Sequence, residues 1–414
     1  MNYLKLEKGI AVLLAMSFLF VNPALAQPRR REDRRRKAVP ANLVDKAVVP
    51  GFKDIRTFAD VASPVFEADL IKSIKEEPAG AFPVNADGKK EYVILAISGG
   101  GANGAYGAGI INGWTKNGTR PNFKMITGIS TGALIAPFAF LGEDYDDELK
   151  RMYTTMSTED IMRSKAVVNV KGVNSLADNA GLQRIIENNV TEEILAAVAE
   201  EHKKGKRLYV CTTNLDTKRL VVWDMGKIAQ VGNKKALTLF QDILLASAAI
   251  PMIFPPMYID VVVDREKYKE IHVDGGTVTQ VSAMVRVFGG LREALAKEGI
   301  DRSKKKVTLY LIRNGYVTPH WSRVRNNLTS IAESSMDTMI TNQGIGDIYR
   351  IHALTKLRDI DFNLAYIPVD YVPAAKEMFD TEEMIRLFDL GFDEASKGYP
   401  WKKKPPYMKE IKNR

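Results

Sequence analysis

The run Tyr92-Val93-Ile94-Leu95-Ala96-Ile97, passing directly into Ser98-Gly99-Gly100-Gly101-Ala102-Asn103-Gly104, decides how the rest of this chain is read. An unbroken apolar run stopped by glycines predicts a strand covered on both faces, followed by a turn into a helix. Consecutive glycines let the backbone approach a ligand closely and collect bare N–H groups in one small volume. At a helix N-terminus that volume suits an anion or a developing oxyanion. Similar runs recur at 123–129, 208–213, 307–312 and 364–369, with helical stretches between them over 105–117, 131–141, 182–201, 237–248 and 322–355. A hairpin at 257–263 and 270–273, around the charged turn Asp264-Arg265-Glu266-Lys267, interrupts the alternation. The pattern predicts an α/β fold, a three-layer α/β/α sandwich around a mainly parallel sheet.

Composition agrees with this. The chain has 414 residues, 45% hydrophobic and 26% charged, which are globular proportions that exclude a disordered chain, a collagen or a membrane bundle. The single cysteine, Cys211, rules out an intramolecular disulfide and any cysteine-built metal centre, and is expected to be buried in a strand. With four histidines and no metal-ligand spacing, neither a metal nor a cofactor is expected.

The net charge of +9 is concentrated in two tails, residues 27–39 and 401–414, each carrying +5. The body between them is near neutral, so nucleic acid is not expected as a partner. The tails are either simply solvated or make peripheral contact with an anionic membrane.

Lys5 and Lys8 precede an apolar stretch ending in Pro23-Ala24-Leu25-Ala26, the pattern of a secretory signal peptide cut after Ala26. The protein is therefore expected to be exported, either periplasmic or secreted. The remaining organisation reads as a basic flexible linker over 27–50, an N-terminal extension over 51–90 with a helix at 57–76, the main domain over 91–400 and a basic C-terminal tail over 401–414. Residues 154–180 are the least periodic part of the body, read as a lid or as a surface excursion.

Three local features bear on chemistry. Gly99, Gly101 and Gly104 satisfy the spacing of a dinucleotide fingerprint. The second strand, however, ends in Gly128-Ile129-Ser130 without the carboxylate such a site needs. Gly128-Ile129-Ser130-Thr131-Gly132 lies at the next strand-to-helix junction and has the G-x-S-x-G form of a nucleophile elbow; a serine capping the helix is the plainer alternative. Asp274-Gly275-Gly276 ends the strand Ile271-His272-Val273, where a carboxylate can take a proton from a hydroxyl or merely begin a turn.

In this order and spacing the three features resemble the patatin-like phospholipase family. Ala246-Ser247-Ala248-Ala249-Ile250-Pro251-Met252-Ile253-Phe254-Pro255-Pro256 is similar to its proline-rich block, and Thr212-Thr213-Asn214-Leu215-Asp216-Thr217 to its strand-turn motif, so the core motifs span 91–280. The resemblance implies a lipid acyl hydrolase with Ser130 as nucleophile, Asp274 as its partner, and Gly99, Gly100 and Gly101 as oxyanion donors. Asn103 stands where the family's loop carries Arg or Lys. The other expected enzymatic readings are acyl transfer and thioester hydrolysis on the same dyad. A non-catalytic lipid-binding envelope module is the reading from another class.

A dyad without histidine makes physical demands. An ordinary aspartate, with a pKa near 3.9, is a weak base for a serine, so the site needs direct Ser–Asp contact, a dry pocket that raises the carboxylate's basicity, and a strong oxyanion hole. The histidines offer a rival triad: His320 or His352 in the Ser…Asp…His order, with His272 read as a structural neighbour of Asp274. Met252, Ile253 and Phe254 are candidates for an acyl pocket or for plain core. Tyr106 and Trp114 are expected in the core.

Overall fold

Continuous apolar runs and alternating helices place nine strands of the described residues in one sheet. The computed structural model describes residues 36–164, 174–318, 321 and 323–408; the expected leader (1–26), the first part of the linker and His320 lie outside these. The strands are β1 (Arg56–Phe58), β2 (Lys90–Ile97), β3 (Phe123–Ile129), β4 (Arg207–Asn214), β5 (Arg219–Asp224), β6 (Met257–Val263), β7 (Glu266–Asp274), β8 (Lys305–Arg313) and β9 (Asp361–Tyr366). Their order is β1-β5-β4-β3-β2-β8-β9. From β4 through β9 the neighbours are parallel, whereas β1, β5, β7 and β6 attach antiparallel.

Both faces are covered, which is why β3 and β4 are buried at every position. Along β2, Leu95 and Ile97 point into one layer and Ala96 into the other. The first layer contains α2 (Gly104–Lys116), α3 (Thr131–Leu141), α4 (Asp146–Thr154), α5 (Ala180–Asn189), α6 (Glu192–Lys203), α7 (Lys234–Ser247) and α9 (Thr381–Ser396). The opposite layer contains α1 (Pro64–Glu76), which packs Phe66 and Leu70 near Tyr209 and Cys211, and α8 (Leu328–Leu357), which packs Ile348 and Ile351 near Leu309 and Phe362. Cys211 is fully buried in β4. Tyr106 and Trp114 are also buried, and Trp114 meets Tyr310 edge-on and Trp401 at a tilt.

Several expectations are corrected. The helix expected over 57–76 begins only at Pro64, capped by Ser63, because proline is favoured in a first helical turn; residues before it form β1. The helix expected over 182–201 is two, parted where Val190 and Thr191 leave helical geometry. The hairpin turn tightens to Asp264 and Arg265, both at positive φ (50° and 72°), as a two-residue turn matched to strand twist requires. The second half of the expected flexible linker is built into the domain: Val39, Ala47 and Val49 are buried, Val48 pairs with Val262, and Arg36 bridges Asp216. The expected C-terminal tail likewise begins as structure, with Lys402 pairing to Leu364 on β9.

Helix α9 had no counterpart in the sequence reading, although Met384, Leu387, Phe388, Gly391 and Ala395 recur at helical spacing. It touches α2 backbone to backbone. A Cβ on Gly109 would fall 2.0 Å from the Phe388 carbonyl oxygen, and one on Gly391 would fall 2.3 Å from that of Tyr106. Backbone cannot yield there as a side chain can. Gly109→Ala is therefore expected to lower stability by about 1–3 kcal/mol, read as a drop in urea midpoint at unchanged slope. An unchanged midpoint would mean that α2 and α9 separate freely.

Candidate active site

One edge of β4 brings Ser130 and Asp274 together. β3 runs along that edge as far as the pairing Ile129–Cys211. From Thr212 onward the same edge is taken by β7, which arrives antiparallel and pairs Asp274 with Thr212, while β5 holds the other edge throughout. The last residue of β7 therefore meets the residue that follows β3, and that residue is Ser130.

Ser130 has φ 56° and ψ −127°, a backbone conformation that costs a non-glycine residue about 1–3 kcal/mol. It forms the sharp turn from β3 into α3 that a nucleophile elbow requires. The turn is tight enough that a Cβ on Gly128 would sit 2.4 Å from the Gly132 carbonyl oxygen, and one on Gly132 would sit 2.4 Å from that of Ile97. From beneath, Ser247 of α7 pins it: the Ser130 N–H donates to Ser247 Oγ (3.0 Å), which donates to the Cys211 carbonyl (2.7 Å). The proline-rich block thus contributes a support for the elbow that sequence reasoning did not single out.

Asp274 is buried, and burial pushes its carboxyl up to about 7. The neighbouring Ser130 hydroxyl and the Gly276 N–H restrain that rise; the Gly276 N–H donates to Oδ1 at 2.7 Å. Gly275 fits tightly against β4, where a Cβ would come 2.7 Å from the Cys211 carbonyl oxygen.

The glycine-rich turn lies against the serine, a Cβ on Gly99 falling 3.1 Å from Ser130 Cβ. The expected donor set is corrected at one position. The Gly99 N–H already donates to the Gln280 carbonyl at 2.9 Å, so it is spent on tying the turn to the loop after Asp274. The N–H groups of Gly100 and Gly101 have no acceptor among the described residues. The Thr131 N–H, in the first turn of α3, is likewise left without an intrahelical acceptor. In the nucleophile-elbow pattern the residue after the serine donates to the oxyanion, so the pattern itself marks Thr131 as a candidate. Asn103 is helical and half-exposed, its side chain making no cap. A Cβ on Gly104 would lie 2.0 Å from Thr131 Oγ1, so that glycine serves the packing of α2 on α3.

Beside Ser130 opens a narrow apolar slot of about 60 Å³, lined by Leu134, Met156, Ile161, Leu182, Phe254 and Met384 among others. Of the candidates Met252, Ile253 and Phe254, only Phe254 lines it; Met252 is exposed and Ile253 packs against the core. The described ends of the 154–180 segment meet this loop, as the N–H groups of Leu176 and Ala177 donate to the Met252 and Ile253 carbonyls.

The three described histidines are committed elsewhere. His272 contacts Thr212 Oγ1 through Nδ1 (2.8 Å) and Glu270 through Nε2 (3.1 Å), leaving no ring nitrogen for Asp274. His352 stacks edge-on against Phe362 in the opposite layer. His202 groups with Asp69 and Asp224, whose ligand-type atoms lie within 4.8 Å of one another. Arg207 and Lys227 already pair with Asp69 and occupy the charge a metal ion would need.

Among curated proteins no relative matches this chain in sequence. Among solved structures, VipD from Legionella pneumophila is similar at 13% identity and a TM-score of 0.38, over 76% of this chain and 69% of that one. Residues 95–285 match the family model described as patatin-like phospholipase. That span contains the glycine-rich turn, the serine elbow and the Asp274 loop, and over it this chain is similar to patatin-like phospholipases.

Proposed function

We propose that this protein is an exported serine acyl hydrolase that cleaves fatty-acyl esters of lipids, phospholipids included, through an acyl-enzyme on Ser130 with Asp274 as the base. The observation that carries the reading is a strained serine at the end of β3 beside a buried carboxyl whose pKa is pushed up to about 7, at the mouth of an apolar slot. Export rests on the leader at residues 1–26 alone. The basic tails provide peripheral contact with anionic lipid.

In the first half-reaction Ser130 Oγ attacks the ester carbonyl carbon and Asp274 accepts the hydroxyl proton. The negative charge that develops on the carbonyl oxygen is met by the N–H groups of Gly100, Gly101 and Thr131. The carbon–oxygen bond to the alcohol breaks, and Asp274 returns the proton to the leaving alkoxide. Water then attacks the acyl carbon, Asp274 accepts its proton, and the proton goes back to Ser130 as the fatty acid leaves. The apolar lining of the slot suits the acyl chain rather than the head group. Met156 and Ile161, from the described residues of the 154–164 stretch, form part of the wall against which the acyl chain lies.

Three results test this. Ser130→Ala is expected to abolish both labelling by a fluorescent fluorophosphonate and hydrolysis of long-chain p-nitrophenyl esters, a loss of at least about a thousandfold. Equal labelling of the variant would mean another serine is the nucleophile. Because the base works as the carboxylate, kcat/KM is expected to fall about tenfold per pH unit below roughly 7 and to level off above it. A flat profile down to pH 5 would remove Asp274 from the role. Asp274 also binds its proton more tightly folded than unfolded, so it weakens the fold increasingly as pH rises from about 4 through 7. Asp274→Asn is thus expected to be inactive yet to melt higher than wild type at pH 8, with the gap closing by pH 4; equal melting at both pH values would deny the carboxyl its raised pKa.

A further inference from the structure

Arg313 ends β8 and is buried, with 3% of its surface exposed. No carboxylate of the described residues lies within ion-pair distance of it. Its partners are neutral: Nη1 donates to the Gly99 carbonyl (3.0 Å), contacts Ser98 Oγ (3.3 Å) and reaches toward Gln280 Oε1 (3.5 Å), while Nε has no partner. Burial lowers its pKa to about 10, which leaves it charged at neutral pH, with Asp347 and Asp337 acting only through the field. The space is shaped for it, since a Cβ on Gly344 would fall 2.9 Å from the guanidinium and one on Gly315 3.2 Å. Burying a guanidinium against neutral acceptors alone is costly, so packing does not account for it.

The acceptor it chooses belongs to the peptide whose other end is the Gly100 N–H. That peptide is trans, as are all described peptide bonds, so its N–H points away from Arg313. We propose that Arg313 is a positioning residue for the oxyanion hole: it holds the Gly99–Gly100 peptide from behind and polarises it, so that the Gly100 N–H is a fixed and strengthened donor to the tetrahedral oxyanion. Hydrogen bonds in series strengthen one another, and a cation at the acceptor end does so most. Asn103 leaves the glycine-rich turn itself without charge, and Arg313 brings a cation to its rear. The Asn314 carbonyl closes the other side, lying 1.9 Å from where a Gly100 Cβ would stand. This inference rests on the acyl-hydrolase reading.

The test compares wild type with Arg313→Lys, Arg313→Gln and Arg313→Met in the full chain, by fluorophosphonate labelling rate, p-nitrophenyl octanoate kinetics against pH, and melting temperature. Arg313→Met and Arg313→Gln are expected to lose about 10- to 100-fold in kcat and in labelling rate, less than removal of a donor itself. KM should stay within about twofold and the acid limb near pH 7. Arg313→Lys should recover most of the loss. Turnover by Arg313→Gln within about twofold of wild type would overturn the inference. So would equal losses in Arg313→Lys and Arg313→Gln, or a loss accompanied by a moved acid limb, which would mark a merely structural role. If Arg313→Met does not fold, the Lys–Gln comparison decides. A wild type that neither labels nor hydrolyses would overturn the acyl-hydrolase reading, and this inference with it.

Discussion

The site depends on a single strand edge being shared end to end. β3 leaves β4 at Cys211 and β7 takes over at Thr212, so the spacing between Ser130 and Asp274 is set by the sheet's backbone hydrogen bonds rather than by side-chain rotamers. Ladder geometry is fixed to within a few tenths of an ångström. The glycine-rich turn joins the same frame because the Gly99 N–H is bonded to Gln280, downstream of Asp274. Three segments remote in sequence are thereby tied by backbone bonds.

Several locally unfavourable features are gathered here. Ser130 adopts a strained conformation, the Asp274 carboxyl is buried where its charge is disfavoured, and Arg313 is charged and buried among neutral acceptors. Each persists because its surroundings leave no alternative: Ser247 and Cys211 under the serine, the β4 ladder beside the aspartate, and the glycine-lined niche around the arginine. Asp347 of α8 strengthens the frame by accepting from the Gln280 N–H (2.6 Å) and Thr279 Oγ1 (2.7 Å). Such features concentrate at functional sites, where strain and desolvation serve chemistry rather than stability.

Much of the fold was legible because doubly covered strands leave an unmistakable trace. The runs at 123–129 and 131–141 coincide with β3 and α3, since Gly128 and Gly132 punctuate the junction between them. Less legible were β1, with three residues, β5, whose apolar run Leu220-Val221-Val222-Trp223 is brief, and the break at Val190 and Thr191, which interrupts a continuous helical pattern for only two residues. The linker assignment erred at 36–50 because high charge masked Val39, Ala47 and Val49, whose burial depends on the hairpin they cover.

At the site, the sequence by itself determined the identities that chemistry needs: a serine between glycines at a strand end, an aspartate before two glycines, and a glycine run opening a helix. These are local signals, because backbone conformation and side-chain size act within a few residues. Only the tertiary structure decided which N–H groups remain free, that Gly99 is spent on Gln280 while Thr131 is available, that His272 turns to Thr212 and Glu270, and that Arg313 stands behind the turn. The reason is physical. A donor's freedom and a carboxyl's pKa are properties of everything packed around them, and that packing is created by strand pairings between segments far apart in the chain.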